Sequence, residues 1–267
     1  MEAVRTRGLS AAWLKYLAAA SMLVDHVDAI FHLMGGVASD TDPRFFLFRY
    51  FGRMAAPIFL FFVAEGCAKT HDLQGYLRRL FVFSLVAQLP YSLVFETWGG
   101  SVILTFFLGA ACVWFFEALR DRDLPVPAAL LPSLPLAALA EYIHSDYGWV
   151  GVVMVPALYL LRSHKARQLT LLGLSLVFLY AVQQPCQNLI DYWMPPGAPF
   201  FDALPQVLPH YLDMWLVFHL LTTLSALVPV VLLCFYRGER GRGSKWFFYV
   251  FYPAHLLVLF FIRLLIP

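Results

Sequence analysis

Residues 49–70 read RYFGRMAAPIFLFFVAEGCAKT. Arg49 and Arg53 are four apart and share one face of a helix. An apolar run from Met54 to Ala64 follows, and Glu65 then lies about 18 Å from Arg53 along the axis. Gly52, Ala55 and Ala56 allow a second helix to come close. The whole span, roughly 50–68, is about the 20 residues that cross a bilayer and predicts a membrane helix with charge toward both ends.

Working outward, eight more apolar runs have similar character. The sequence predicts nine helices, roughly 14–34, 50–68, 77–95, 102–119, 125–143, 148–162, 168–184, 211–236 and 247–265. With the amino terminus in the cytoplasm, most of the 19 Lys and Arg fall on the cytoplasmic side: Arg5, Arg7, Lys15, Lys69, Arg78, Arg79, Arg120, Arg122, Arg162, Lys165, Arg167, Arg237, Arg240, Arg242 and Lys245. Arg44, Arg49, Arg53 and Arg263 fall opposite. That bias sets the orientation of a multispanning chain and puts the carboxyl terminus outside. The predicted fold is an all-α integral membrane protein, a single domain over 1–267.

Composition agrees: 61% hydrophobic and 13% charged, against about 25% charged for a water-soluble domain. Nine spans leave no room for a soluble domain. The basic residues are scattered through short loops, which speaks against nucleic acid as a partner and is the usual topological pattern. Cys67, Cys112, Cys186 and Cys234 lack metal or redox spacing. Arg5 and Arg7 precede the first span, but Asp25 and His26 lie inside it and no small-residue cleavage site ends it, so it reads as a retained helix. Two outer segments are longer than the rest, Gly35 to Arg49 and 185–210. The second, rich in Pro and aromatic residues, predicts an interfacial outer loop that anchors to the membrane or caps a cavity. Pro127, Pro132 and Pro135 predict a weak fifth span, and Pro229 a kink in the overlong eighth. No internal repeat is visible.

Ionisable residues inside spans cost a few kcal/mol each and normally face the protein interior. In the first helix, Lys15, Met22 and His26 fall on one stripe, with Lys15 and His26 about 16 Å apart. A cation at the rim and an imidazole at depth suit an anionic substrate that enters from the cytoplasm. Asp25 lies about 100° round the helix and would pair with a neighbour such as Arg53. Lys69, Tyr76, Arg78 and Arg79 form a basic cluster suited to phosphate or to topology alone. In the last helix, Tyr252 and His255 share a face, with Pro253 between them. Two buried histidines can supply a general base and a hydrogen-bond donor to an oxyanion, or merely join helices. His219 reads as structural; His71, His144 and His164 lie in loops. HExxH and GxSxG are absent, so neither a zinc site nor an activated serine is predicted.

The chain resembles the TraX family of membrane proteins, named for the conjugative pilin acetylase. The resemblance rests on LKYLAAASMLVDH (14–26), RYFGRMAAPIFLFFVAEGCAKT (49–70), YLRRL (76–80), SDYGWVGV (145–152) and KWFFYVFYPAHLLVL (245–259). That family is similar to the wider transmembrane acyltransferases, with their Arg-X10-His and FFxxSG patterns; Lys15-X10-His26 and FFVAEG (61–66) are the counterparts here, with Lys for Arg and Glu65 for Ser. The resemblance implies an acetyltransferase of the bacterial inner membrane, which moves acetyl from cytosolic acetyl-CoA to a protein or glycan acceptor outside. It implies His26 as the catalytic histidine, Lys15 as its cationic partner, and less defined roles for Asp25, Arg53, Glu65 and His255. Joined to the residue reading, His26, Asp25 and His255 are the catalytic candidates; Lys15, Arg78 and Arg79 would hold coenzyme phosphates. Arg53, Glu65 and Tyr252 would meet the acceptor. Two alternatives stand beside this: a proton-coupled transporter using Asp25, His26 and Glu65, and an assembly platform with replaceable buried charges.

Overall fold

A backbone in lipid must satisfy its own N–H and C=O groups, and the apolar runs of this chain do so as helices. The structure, a computed structural model, describes residues 8–31, 48, 50–122, 124–195, 197 and 199–266. Arg5, Arg7, Arg44, Arg49, Pro196 and, Phe48 apart, the outer segment from Gly35 to Arg49 lie outside the described residues. The helices are α1 (Ala11–Phe31), α2 (Ala55–Lys69), α3 (Leu73–Phe95), α4 (Val102–Arg120), α5 (Val126–Leu130), α6 (Ser133–Tyr142), α7 (Gly148–Leu160), α8 (Lys165–Trp193), α9 (Phe200–Cys234) and α10 (Lys245–Leu265). No strand forms among the described residues; a single bridge joins Leu9 to Tyr236.

Among the described residues, six helical stretches are long and apolar enough to cross a membrane: Tyr50–Lys69, Leu73–Phe95, Val102–Arg120, Lys165–Trp193, Leu216–Cys234 and Trp246–Leu265. The other three predicted spans fall short for two reasons. α1 has the length but carries Lys15, Asp25 and Asp28. The fifth breaks at Leu131 and Pro132 into α5 and α6, and α7 has 13 residues.

The expected outer loop at 185–210 is corrected by the structure. Among the described residues, the non-helical break is confined to 194–199. On one side α8 continues through π-helical turns at Leu179–Gln183 and Leu189–Trp193, and the first widens the helix just ahead of Pro185. On the other, Pro205 and Pro209 lie inside α9. Being four apart, their missing donors fall on one face, and only the carbonyls of Phe201 and Pro205 lose their helical partners. Two prolines thus leave α9 helical over 35 residues.

α2 and α4 occupy the centre, with 67% and 61% of their membrane-length windows buried against 28–33% for the other four. Those outer helices leave Leu85, Leu89, Leu216, Val217 and Leu220 exposed, an apolar surface suited to lipid. Directions follow from side-chain pairs. Tyr16 meets Phe247 and Phe248 while His26 meets His255, so α1 and α10 run parallel. Lys15 reaches Phe62 while Ser21 donates to the Gly52 carbonyl at 3.2 Å, so α2 is antiparallel to α1. α4 and α7 run parallel: Thr105 bonds Ser145 and the Asp146 carbonyl at one end, and Tyr159 donates to Glu117 at the other.

Candidate active site

α1, α2, α3 and α10 enclose a cavity of about 550 Å³, completed by the start of α4 and the turn before α7. Lys15, Lys69, Arg79 and Arg240 line one end, where Lys69 and Arg240 are exposed to solvent. Asp25, Arg53, Asp146, Tyr147 and Gln184 line the other. Phe59, Phe62, Phe106 and Tyr252 form the wall between. The stripe read from the sequence, Lys15, Met22 and His26, faces this space.

His26 lines the middle of the cavity, and its tautomer follows from its partners. The Phe251 carbonyl can only accept, so His255 Nδ1–H donates to it, at 2.7 Å. In a neutral ring, His255 Nε2 is then an acceptor, and His26 Nδ1–H donates to it, also at 2.7 Å. The two rings lie within 7° of parallel. The nitrogen left to the cavity is His26 Nε2, with its lone pair free to take a proton. His255 stands behind His26 and joins α10 to α1 through this hydrogen bond, one of the two roles the sequence left open for it. Tyr252 and Phe95 pack edge-on against the His26 ring.

At the Arg53 end, Asp25 packs directly on Gly52: a Cβ there would stand 2.6 Å from the Asp25 Cγ. Arg53 lies over the Tyr180 ring at 5.7 Å, and the Tyr180 hydroxyl donates to that of Tyr147 at 3.0 Å. Asp25 Oδ1 and Arg53 Nε are buried without a hydrogen-bond partner among the described residues. Asp146 joins them from the turn before α7. Its amide donates to the Gly100 carbonyl at 2.9 Å, and its carbonyl accepts from the Thr105 hydroxyl. Tyr147 and Gly148 both take positive φ, 65° and 47°, a bend that brings Asp146 and Tyr147 into the cavity. Burial pushes the Asp146 carboxyl up to about 6, with Arg53 opposing the rise and Asp25 adding to it.

At the other end the cations differ in what they already hold. Lys69 is satisfied by Glu65 at 3.0 Å, the Tyr236 hydroxyl at 3.2 Å and the Gly238 carbonyl at 2.8 Å. Lys15 Nζ rests on the faces of Phe62 and Phe248, at 4.9 and 5.7 Å.

Of the residues singled out from sequence, Lys15, Asp25, His26, Arg53, Arg79 and Tyr252 line the cavity, and His255 touches it through His26. Arg78 is exposed and does not, because neighbours on a helix are about 100° apart and Arg79 takes the inward direction. Glu65 lies beside Lys69, at the end away from Asp25, so it does not share a subsite with Arg53. Asp146, Tyr147 and Arg240 were missed. The SDYG turn signalled the first two; Arg240 looks in sequence like any loop arginine. Among the described residues no group of three or more His, Cys, Asp or Glu is placed to hold a metal.

A helical bundle with apolar outer faces, a pair of histidines inside and polar clusters at both ends of one cavity points to an integral membrane protein with an internal cavity. The chain belongs to the TraX family: the TraX protein family model matches residues 10–263. It is also 28% identical over 266 residues, 96% of either chain, to the probable fimbrial assembly protein FimC, serogroup H1, of Dichelobacter nodosus. No solved structure matches it significantly.

Proposed function

We propose that this protein is an acetyltransferase of the bacterial inner membrane, with nine crossings and a cytoplasmic amino terminus, that carries acetyl from cytosolic acetyl-CoA to an amine or hydroxyl at the outer face. One observation carries the reading: a single cavity links a cationic end, through an aromatic wall and past His26 Nε2, to the Asp25–Arg53–Asp146 cluster. Lys15 and His26 are about 16 Å apart along α1, a distance that a flexible phosphopantetheine arm can bridge. Coenzyme phosphates would sit among Lys15, Arg79 and Arg240, and the acceptor would enter at the Arg53 end.

His26 Nε2 takes the proton of the attacking nitrogen or oxygen as the new acyl bond forms. The thioester C–S bond breaks, and His26 returns the proton to the departing sulfur. His255 accepts from His26 Nδ1–H throughout and steadies the imidazolium. No acyl-enzyme is needed. The relative named for fimbrial assembly favours a pilus subunit as acceptor, with a surface glycan as the other candidate. A proton relay through Asp25, His26 and Glu65 has less support, because Glu65 is engaged by Lys69 and aromatic side chains stand between.

The test is binding and transfer by the detergent-purified protein. Acetyl-CoA at 100 times its dissociation constant adds about 2.7 kcal/mol of apparent stability and raises the melting temperature. His26→Ala should keep that shift and lose acetyl transfer to a pilin amino-terminal peptide. No shift at millimolar coenzyme, with a well-folded sample, would remove the acetyltransferase reading.

A further inference from the structure

We propose that the Tyr252 hydroxyl, backed by the amino end of α4, is the hydrogen-bond donor to the oxyanion that forms on the acetyl carbonyl beside His26. This role rests on the acetyltransferase reading above. It gives Tyr252 to the thioester, where the sequence pointed to the acceptor.

α10 carries Tyr252 three residues before His255, and its ring packs edge-on against both histidines, at 6.0 Å from His26 and 5.7 Å from His255. Tyr252 is only 3% exposed and lines the cavity. Its hydroxyl oxygen lies beside the amide of Val102, the first residue of α4, and Val102 and Ile103 line the same cavity. A main-chain N–H can only donate, so the approach of Val102 leaves the Tyr252 proton for a third group. Among the described residues no acceptor meets it. Asp146 and Tyr91 are near enough to act through their charge but not to bond. A buried O–H without an acceptor is costly, and in the wall of a cavity it marks where an acceptor is to sit. Ser101, the N-cap of α4, makes no side-chain capping bond, so the positive end of a 19-residue helix adds to the field at this hydroxyl.

The surroundings hold both parts still. The Ser101 amide donates to Gln88 Oε1 at 3.1 Å, Gln88 Nε2 donates to the Gly99 carbonyl at 2.7 Å, and the Gly100 amide donates to the Ile143 carbonyl at 3.1 Å. These bonds tie the start of α4 to α3 and to the turn before α7. The bond between His26 and His255 ties α10 to α1 at the level of Tyr252. An oxyanion site acts because its donors are already in place when charge develops.

As the attacking nitrogen or oxygen bonds to the acetyl carbon, its proton goes to His26 Nε2 and the carbonyl π pair moves onto oxygen. That oxygen accepts from Tyr252 O–H. The pair returns as the C–S bond breaks, and His26 passes its proton to the sulfur. Tyr252 keeps its own proton throughout, so phenylalanine in its place removes the donor alone.

The experiment uses full-length protein in detergent, acetyl-CoA and a pilin amino-terminal peptide. Tyr252→Phe should lower kcat about 10²- to 10³-fold, the usual cost of one oxyanion donor. KM for the peptide, the melting shift with acetyl-CoA and the melting temperature without ligand should match the parent, since the lost hydroxyl holds no acceptor. Val102→Pro removes the backing N–H and keeps the helix, because the first helical position accepts proline and Ser101 is extended at ψ 160°. It should lower kcat about 3- to 10-fold, the worth of one neutral hydrogen bond. With the dithioester of acetyl-CoA, whose sulfur accepts hydrogen bonds poorly, the gap between the parent and Tyr252→Phe should shrink about tenfold or more. Undiminished kcat in Tyr252→Phe would overturn this role and leave the acetyltransferase reading standing. So would a loss confined to KM for the peptide, or a gap of the same size with the dithioester. A parent that binds acetyl-CoA and transfers no acetyl would fail the reading itself, and this role with it.

Discussion

His26 and His255 face each other across two helices, and the order of their hydrogen bonds separates their roles. His26 meets the cavity, while His255 is a positioning residue whose Nδ1–H is committed to the Phe251 carbonyl. Replacing His255 with Ala leaves His26 free to rotate or change tautomer. On the proposed function, turnover should fall about 10- to 100-fold with little change in KM for acetyl-CoA, because a misoriented general base loses much of its 10²–10⁴-fold contribution. Equal losses in kcat and in coenzyme affinity would argue for a purely structural role. Asp146 provides the pH signature. Its carboxyl is raised from 3.8 to about 6, so the folded protein holds the proton more tightly than the unfolded chain. Stability from this group is complete below about pH 4 and is lost as pH rises through about 6. Arg53, Asp25, Tyr147, Tyr180, Tyr91 and Tyr252 are charged or titratable groups around it. Asp146→Asn should therefore flatten the difference in melting temperature between pH 4.5 and 7 relative to the parent; an identical pH profile would show that Asp146 does not titrate in this range.

At the scale of elements, small residues decide where helices touch. Gly109 of α4 meets α7 so closely that a Cβ there would lie 2.6 Å from Val155 Cγ2 and 3.2 Å from the Val152 carbonyl. Gly109→Val should destabilise the bundle by about 1–3 kcal/mol, the usual result of overpacking. Because the same pair of helices holds the turn carrying Asp146, acetyl transfer should drop as well, while coenzyme binding at the far end persists. Thermal melts and coenzyme titration on one preparation check both. α9 shows the other side of the same physics. Prolines that read as loop signals stay helical when their lost donors fall on one face and the rest of the i→i−4 ladder continues.

For the whole molecule, orientation can be tested with native cysteines. Cys67 and Cys112 are buried, whereas Cys186 near the end of α8 and Cys234 at the end of α9 are exposed. α8 and α9 are antiparallel: Tyr211 donates to the Pro185 carbonyl near one end, and Lys165 to the Cys234 carbonyl at the other. The two thiols are thus at opposite ends of the bundle. In intact spheroplasts, a membrane-impermeant maleimide should label Cys186 and spare Cys234 until the membrane is permeabilised. The reverse pattern would invert the topology and place the coenzyme end outside.

Sequence by itself determined the class of fold and the axis of the site. Apolar run length and the cost of unpaired backbone in lipid leave helices as the outcome, and the period of α1 already aligned Lys15, Met22 and His26. Ionisable side chains at depth marked His26, Asp25 and His255, since their burial must be compensated by something. Only the tertiary structure decided the rest. The hydrogen-bond order of the two histidines depends on a contact across 229 residues of chain. Asp146 enters through a bend with two consecutive positive φ values, and Arg240 through main-chain bonds to the amino-terminal segment. Arg78 and Arg79 differ only by the turn of a helix relative to its neighbours. Local periodicity carries which residues share a face; which face meets which is set by packing between helices distant in the chain.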